Sequence, residues 1–231
     1  MGRSRPAAAA FLSCCILWLP AGAGCACHGG AAPAAWPDSY LARVEALALL
    51  QTFNADLLSH DSATLTLERW CGAHGLASPP RIVAERVTAM DKAPTAEQRA
   101  ELGVTPAEPI RYRRVRLRCG TVVLSEADNW YVPARLTAEM NTVLDSTDVP
   151  FGKAVQGLHF QRHTISAKVL WPLLPEGWEM SPAAPMESTG ELPLPSHVLE
   201  HRAVLTLPDG TPFSELVETY TGNVLAFPTR R

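Results

Sequence analysis

Two runs of the chain, residues 111–133 (RYRRVRLRCGTVVLSEADNWYVP) and 198–220 (VLEHRAVLTLPDGTPFSELVETY), restrict the fold more than any other stretch. Each alternates apolar and polar residues, breaks at a glycine turn and resumes alternating. That is the pattern of a β-hairpin with one buried face. Both carry ionisable residues within strand-like sequence: Arg114, Arg116 and Arg118 alternate in the first, and Glu215 and Glu218 lie in the second. Two readings are open. The charges line the solvated faces of an amphipathic sheet, or a cationic and an acidic strand share a pocket able to hold a small carboxylate.

Helical periodicity precedes the first hairpin. Tyr40, Leu41, Val44, Leu47, Leu50, Phe53, Leu57 and Leu58 recur at helix spacing after Pro37, which suits a first turn. Ser59-His60-Asp61-Ser62 can cap a second helix from Ala63 to about Ala73, ended by Gly75 and Pro79-Pro80. Residues 81–90 read as a strand, and Thr95 with Gln98 has the form of a capping box. After the hairpin come a short helix over 136–144, a tight turn at Val149-Pro150-Phe151-Gly152 and a strand over 158–170. Residues 171–195 are a Pro-rich insertion, and Pro208-Asp209-Gly210 turns the closing hairpin. Helices first, then short strands joined by tight turns with no βαβ alternation, predict an α+β fold: one antiparallel β-sheet with helices packed on one side.

The ends of the chain read differently. Residues 1–30 combine Arg3 and Arg5 with an apolar run over 7–19 and small residues at 21–24, the layout of a signal peptide or targeting leader. Residues 31–37 come next as a linker and 38–228 form the domain. The expectation is an exported protein, periplasmic or secreted, with Cys25 as a lipid-attachment variant; the alternative is a cytoplasmic protein whose leader is no signal. Four of six cysteines lie in the leader, leaving Cys71 and Cys119 either as a disulfide or as two buried thiols. The 231 residues carry a net charge of −3 and no long basic run, which gives no reason to expect nucleic acid as a partner. His159 and His163 are four apart in strand-like sequence, and no metal-ligand spacing is present.

The order of several short motifs resembles the chorismate pyruvate-lyase (4-hydroxybenzoate synthase) family over roughly residues 45–222. These are Leu57-Leu58-x-x-Asp61-Ser62-x-Thr64, Arg114 ahead of a Cys-Gly turn on a strand ending Tyr131-Val132-Pro133, Val149-Pro150-Phe151-Gly152, and Asp209-Gly210-x-Pro212 with Glu218 eight residues past its glycine. The resemblance implies a chorismate lyase-like fold around a pocket shut off from solvent. It also implies a cofactor-free elimination of pyruvate from chorismate, giving 4-hydroxybenzoate for ubiquinone biosynthesis. By the same resemblance Arg114 pairs with the ring carboxylate, Phe151 and Gly152 hold it through backbone amides, Ala63 is the lid contact and Glu218 is the catalytic carboxylate. Glu215 is the other reading of that last position.

The chemistry suits those residue types. A guanidinium grips a planar carboxylate with two parallel hydrogen bonds, and a carboxylate near the leaving group can move a proton. Ala63 is smaller, and Phe151 larger, than the family's residues at those places. The second expectation, from a different class, is an exported binding module on the same scaffold that holds a small aromatic carboxylate without turning it over. Either way the protein is expected to be a monomer with no membrane span beyond its leader.

Overall fold

A computed structural model describes residues 1–2, 36–180 and 187–227. The chain divides into two units, Met1–Ala32 and Pro33–Arg231, and the described strands and helices all belong to the second. Of the residues read as leader and linker, 3–35 lie outside the described ones.

Eight strands and five α-helices are described in this unit. In chain order they are β1 (Trp36–Ser39), α1 (Tyr40–Leu58), α2 (Ala63–Ala73), β2 (Ile82–Arg86), α3 (Ala96–Glu101), β3 (Arg111–Cys119), β4 (Val122–Tyr131), α4 (Ala138–Ser146), α5 (Phe151–Ala154), β5 (Gln161–Val169), β6 (Glu187–Leu192), β7 (His197–Thr206) and β8 (Pro212–Thr221). Six strands form one sheet in the order β2-β3-β4-β8-β7-β5, with every neighbouring pair antiparallel. The fold is therefore α+β, built on a single large antiparallel sheet as the chorismate lyase-like resemblance implies. The two hairpins, β3–β4 and β7–β8, lie side by side at its centre through the β4–β8 pairing.

Local chemistry accounts for the elements. Ser39 caps α1 by accepting from Ala42 N–H, and Ser62 caps α2 by accepting from Leu65 N–H. Thr95 and Gln98 complete a reciprocal capping box on α3. Both hairpin turns need a left-handed residue and supply glycine: Gly120 has φ +58° and Gly210 has φ +85°. The buried stripe of α1 is Ala42, Ala46, Leu50, Phe53 and Leu57, whereas Leu41 is 65% exposed. Alanines occupy the closest approach, so counting only large apolar residues rotates the predicted face.

Two core clusters lie along the inner face of the sheet. One joins α1 and α2 to β3 and β8 through Phe53, Leu67, Trp70, Leu117 and Tyr220. The other joins α4 and α5 to β7 and β8 through Leu144, Phe151, Leu205, Phe213 and Leu216. A disulfide, Cys71–Cys119, ties α2 to β3 and resolves the alternative left open by the sequence. The Pro-rich insertion is not merely loop: its β6 pairs antiparallel with β1, at the point where the sequence reads linker and helix start. Among the described residues no helix is long and apolar enough to cross a membrane.

Candidate functional site

Strand pleating decides which charged side chains face the helices. In β3 the buried positions are Arg113, Val115, Leu117 and Cys119, while Arg114, Arg116 and Arg118 alternate onto the other face. Register carries that inner face across the sheet. Ala127 of β4 lies opposite Glu218 of β8, Glu218 lies opposite His201 of β7, and Arg162 of β5 lies opposite Leu205 of β7.

Where the two core clusters meet, this inner face and the start of α2 line a small cavity of about 40 Å³, below the usual range for small-molecule sites. Its apolar wall includes Val115, Leu117, Ala127, Phe151, Phe160 and Leu216. Its charged groups are Arg113 at one end, and Arg162 with Glu218 and Asp61 at the other; Ser62, Thr64, Asn129 and Gly152 add to the lining.

The two arginines sit in opposite electrostatic situations. Arg162 donates to Glu218 at 2.7 Å, with the two side chains 4% and 7% exposed. Burial works against the Arg162 charge, but the Glu218 carboxylate outweighs it and holds the guanidinium above its ordinary range. Glu218 also accepts from the Tyr220 hydroxyl at 3.1 Å, and burial together with that carboxylate raises the tyrosine well above its usual value. Arg113 is as buried, at 6% exposure, yet forms no ion pair among the described residues. It donates from Nη2 to the Val149 carbonyl at 3.1 Å, and its Nε has no partner. Burial, with the nearby charge of Arg86, pushes it down to about 10. An ionised guanidinium buried without a carboxylate is costly, and an anion in the cavity would offset that cost.

The sequence-predicted residues separate on this geometry. Glu218, Phe151, Gly152 and Ala63 line the cavity together. Arg114 does not, and its expected position is corrected. It lies on the opposite face, donating to Asp128 at 2.9 Å and to Glu126 at 3.0 Å. Arg116 and Arg118 continue the same ladder with Glu126 and Glu85, so the solvated-face reading applies to all three. The physical reason is parity: Val115 and Leu117 must face the core, and a residue one position out of phase cannot join them. Glu215 also faces away, fully buried beneath α3, where Arg202 donates to it at 2.8 Å and Gln98 at 3.3 Å.

Sequence reasoning missed Arg113, Arg162 and Asn129. Parity with Val115 and Leu117 was the signal for Arg113. Asn129 shares the parity of Ala127 in β4. Arg162 had none, since β5 carries no apolar stripe and its partner Glu218 lies two strands away.

No protein-family model matches the chain. Protein y4mC of Sinorhizobium fredii (strain NBRC 101917 / NGR234), described as uncharacterized, is 60% identical over 194 residues, covering 84% of this chain and 82% of its own. Among solved structures, the chain is similar to PhnF from Mycobacterium smegmatis (12% identity, TM-score 0.45, covering 74% of this chain and 68% of that one). The effector domain of PhnF aligns at 13% identity and a TM-score of 0.44, covering 74% and 94%. A GntR-family transcriptional regulator from Enterococcus faecalis aligns at 14% identity and a TM-score of 0.39, covering 64% and 99%.

These comparisons correct four expectations. They return transcriptional regulators and an effector domain in place of a lyase, so the chorismate lyase activity, its enzyme class and its place in ubiquinone biosynthesis are withdrawn. The geometry agrees, because the arginine required by the lyase reading is not in the cavity. Export is withdrawn on the same comparison, and with it the exported form of the binding module; the residues read as a leader lie outside those described.

Proposed function

This chain belongs to the same family as protein y4mC of Sinorhizobium fredii, and we propose that its domain binds a small organic anion in the inner cavity, without turnover. A small aromatic carboxylate is the class whose groups match the lining, and the cavity of about 40 Å³ must widen to admit its ring. The observation that carries the reading is Arg113, a buried guanidinium facing the cavity with no carboxylate to balance it. Charge-assisted, planar pairing at that end would orient a carboxylate. The apolar wall of Phe151, Phe160, Val115 and Leu216 would take a ring. At the far end Glu218 is already engaged by Arg162 and Tyr220, which suits it to accept a hydroxyl from the ligand more than to move a proton. The effector and ligand-binding domains among the similar folds accord with binding as the role.

Calorimetric titration of the full chain with 4-hydroxybenzoate tests this. Arg113→Ala should weaken binding by about tenfold or more, the worth of a charge-assisted hydrogen bond. Arg114→Ala should leave it within about twofold, since exposed ladder charges contribute little. Arg113→Lys, which keeps the charge but not the fork, should fall between. Equal affinity in the wild type and Arg113→Ala, with both folded, would remove the assignment.

A further inference from the structure

Arg113 lines a second opening as well. A polar cleft of about 390 Å³ is bordered by Arg86, Arg111, Arg113 and Arg114, with Tyr112, Tyr131, Asp91 and Asp145. The four arginines are not equivalent. Arg114 is held by Asp128 and Glu126, and Arg111 by Asp145 at 2.7 Å. Arg86 bonds to the backbone carbonyl of Asp145, and neither it nor Arg113 has a carboxylate partner among the described residues. Two guanidiniums thus border one cleft, close enough for the charge of Arg86 to act on Arg113; neither forms an ion pair among the described residues, while Asp145 acts on Arg113 through space and Asp91 shares the lining. Such a pair is under mutual repulsion that a bound anion would relieve.

We propose that this cleft is a second anion site, built for a phosphate group seated between Arg86 and Arg113. The number of acceptor oxygens selects phosphate. A carboxylate offers two, enough for one fork, whereas two forks without ion pairs border this cleft. A phosphoryl group presents three oxygens, enough to accept from both forks at once. The cleft is the more polar and the roomier of the two, about 390 Å³ against about 40 Å³, so the two sites differ in what they admit. Both border Arg113, and an anion in one draws on the guanidinium that the other uses. That competition rests on the inner cavity being an anion site; the phosphate site itself does not.

The test is calorimetric titration of the full chain with inorganic phosphate at fixed ionic strength, near neutral pH. Binding should be measurable in the wild type and about tenfold weaker in Arg86→Ala, as loss of a charge-assisted contact implies. Arg81→Ala, which removes an exposed charge at the start of the same region, should bind like the wild type. Arg86 is exposed, and an unchanged melting temperature would show that its removal leaves the fold intact. No binding to the wild type, or equal binding to wild type and Arg86→Ala, overturns the proposal. So does equal weakening by Arg81→Ala, which would mean general charge screening. Acetate binding as tightly as phosphate would overturn the choice of phosphate. Failure of 4-hydroxybenzoate to bind anywhere bears only on the inner cavity and leaves each of these outcomes readable.

Discussion

His201 is fully buried on the inner face of β7, beside the Arg162–Glu218 pair and edge-on to the Tyr220 ring at 5.4 Å. Its Nε2 meets the Asn54 side-chain oxygen at 2.8 Å, and its Nδ1 has no partner. Burial lowers its pKa to about 4; Glu218 draws it back up and Arg162 adds to the lowering. An unfolded histidine titrates near about 6.5. Between those two values the unfolded chain binds more protons than the folded one, so stability rises with pH across the window and is lost as pH falls through it. Urea unfolding at pH 7 and at pH 4.5 should therefore show the wild type losing about 2–3 kcal/mol more than His201→Gln, at ~1.4 kcal/mol per unit of pKa shift. Equal losses would mean that the histidine is not held neutral by its surroundings. The consequence for the site is that the wall behind Glu218 stays uncharged at the imidazole and charged at the ion pair, a fixed electrostatic background for whatever the cavity holds.

At the level of elements, α2 and β3 form two walls of the inner cavity, the first through Ala63 and Thr64 and the second through Arg113 and Val115. The Cys71–Cys119 disulfide joins them across 48 residues of sequence. Closing a loop of that length restricts the unfolded chain, typically by about 2–4 kcal/mol. The double variant Cys71→Ala, Cys119→Ala should lose stability of that order in urea unfolding, and a loss too small to measure would contradict loop closure as its source. Much of this arrangement is legible in the sequence. The two hairpins, their glycine turns, the capped helices and the antiparallel sheet all follow from alternation and punctuation. Two elements are not legible there. β6 lies in a stretch whose prolines suggest loop, and its pairing with β1 brings together segments about 150 residues apart, which no local pattern records. The charged positions are legible only in part. Alternation announces that one face of β3 is buried, but motif order points to Arg114, whereas the phase set by Val115 and Leu117 points to Arg113. Glu218 shares its phase with Leu216 and Tyr220, and that phase faces the cavity.

For the whole molecule, the sheet has two chemically distinct faces at its β2–β4 end. The outer face is a ladder of arginines and carboxylates that neutralise one another in water. The inner face holds one buried arginine with no such partner and one buried ion pair. It is the inner face that places unbalanced charge among buried side chains, where an anion gains most from meeting it. The most direct test of anion binding there is a crystal structure of the chain with 4-hydroxybenzoate bound. The ligand is expected in the inner cavity, its carboxylate within hydrogen-bonding distance of Arg113 and its hydroxyl toward Glu218. A carboxylate resting on Arg114 and the outer ladder, with the inner cavity empty, would contradict it.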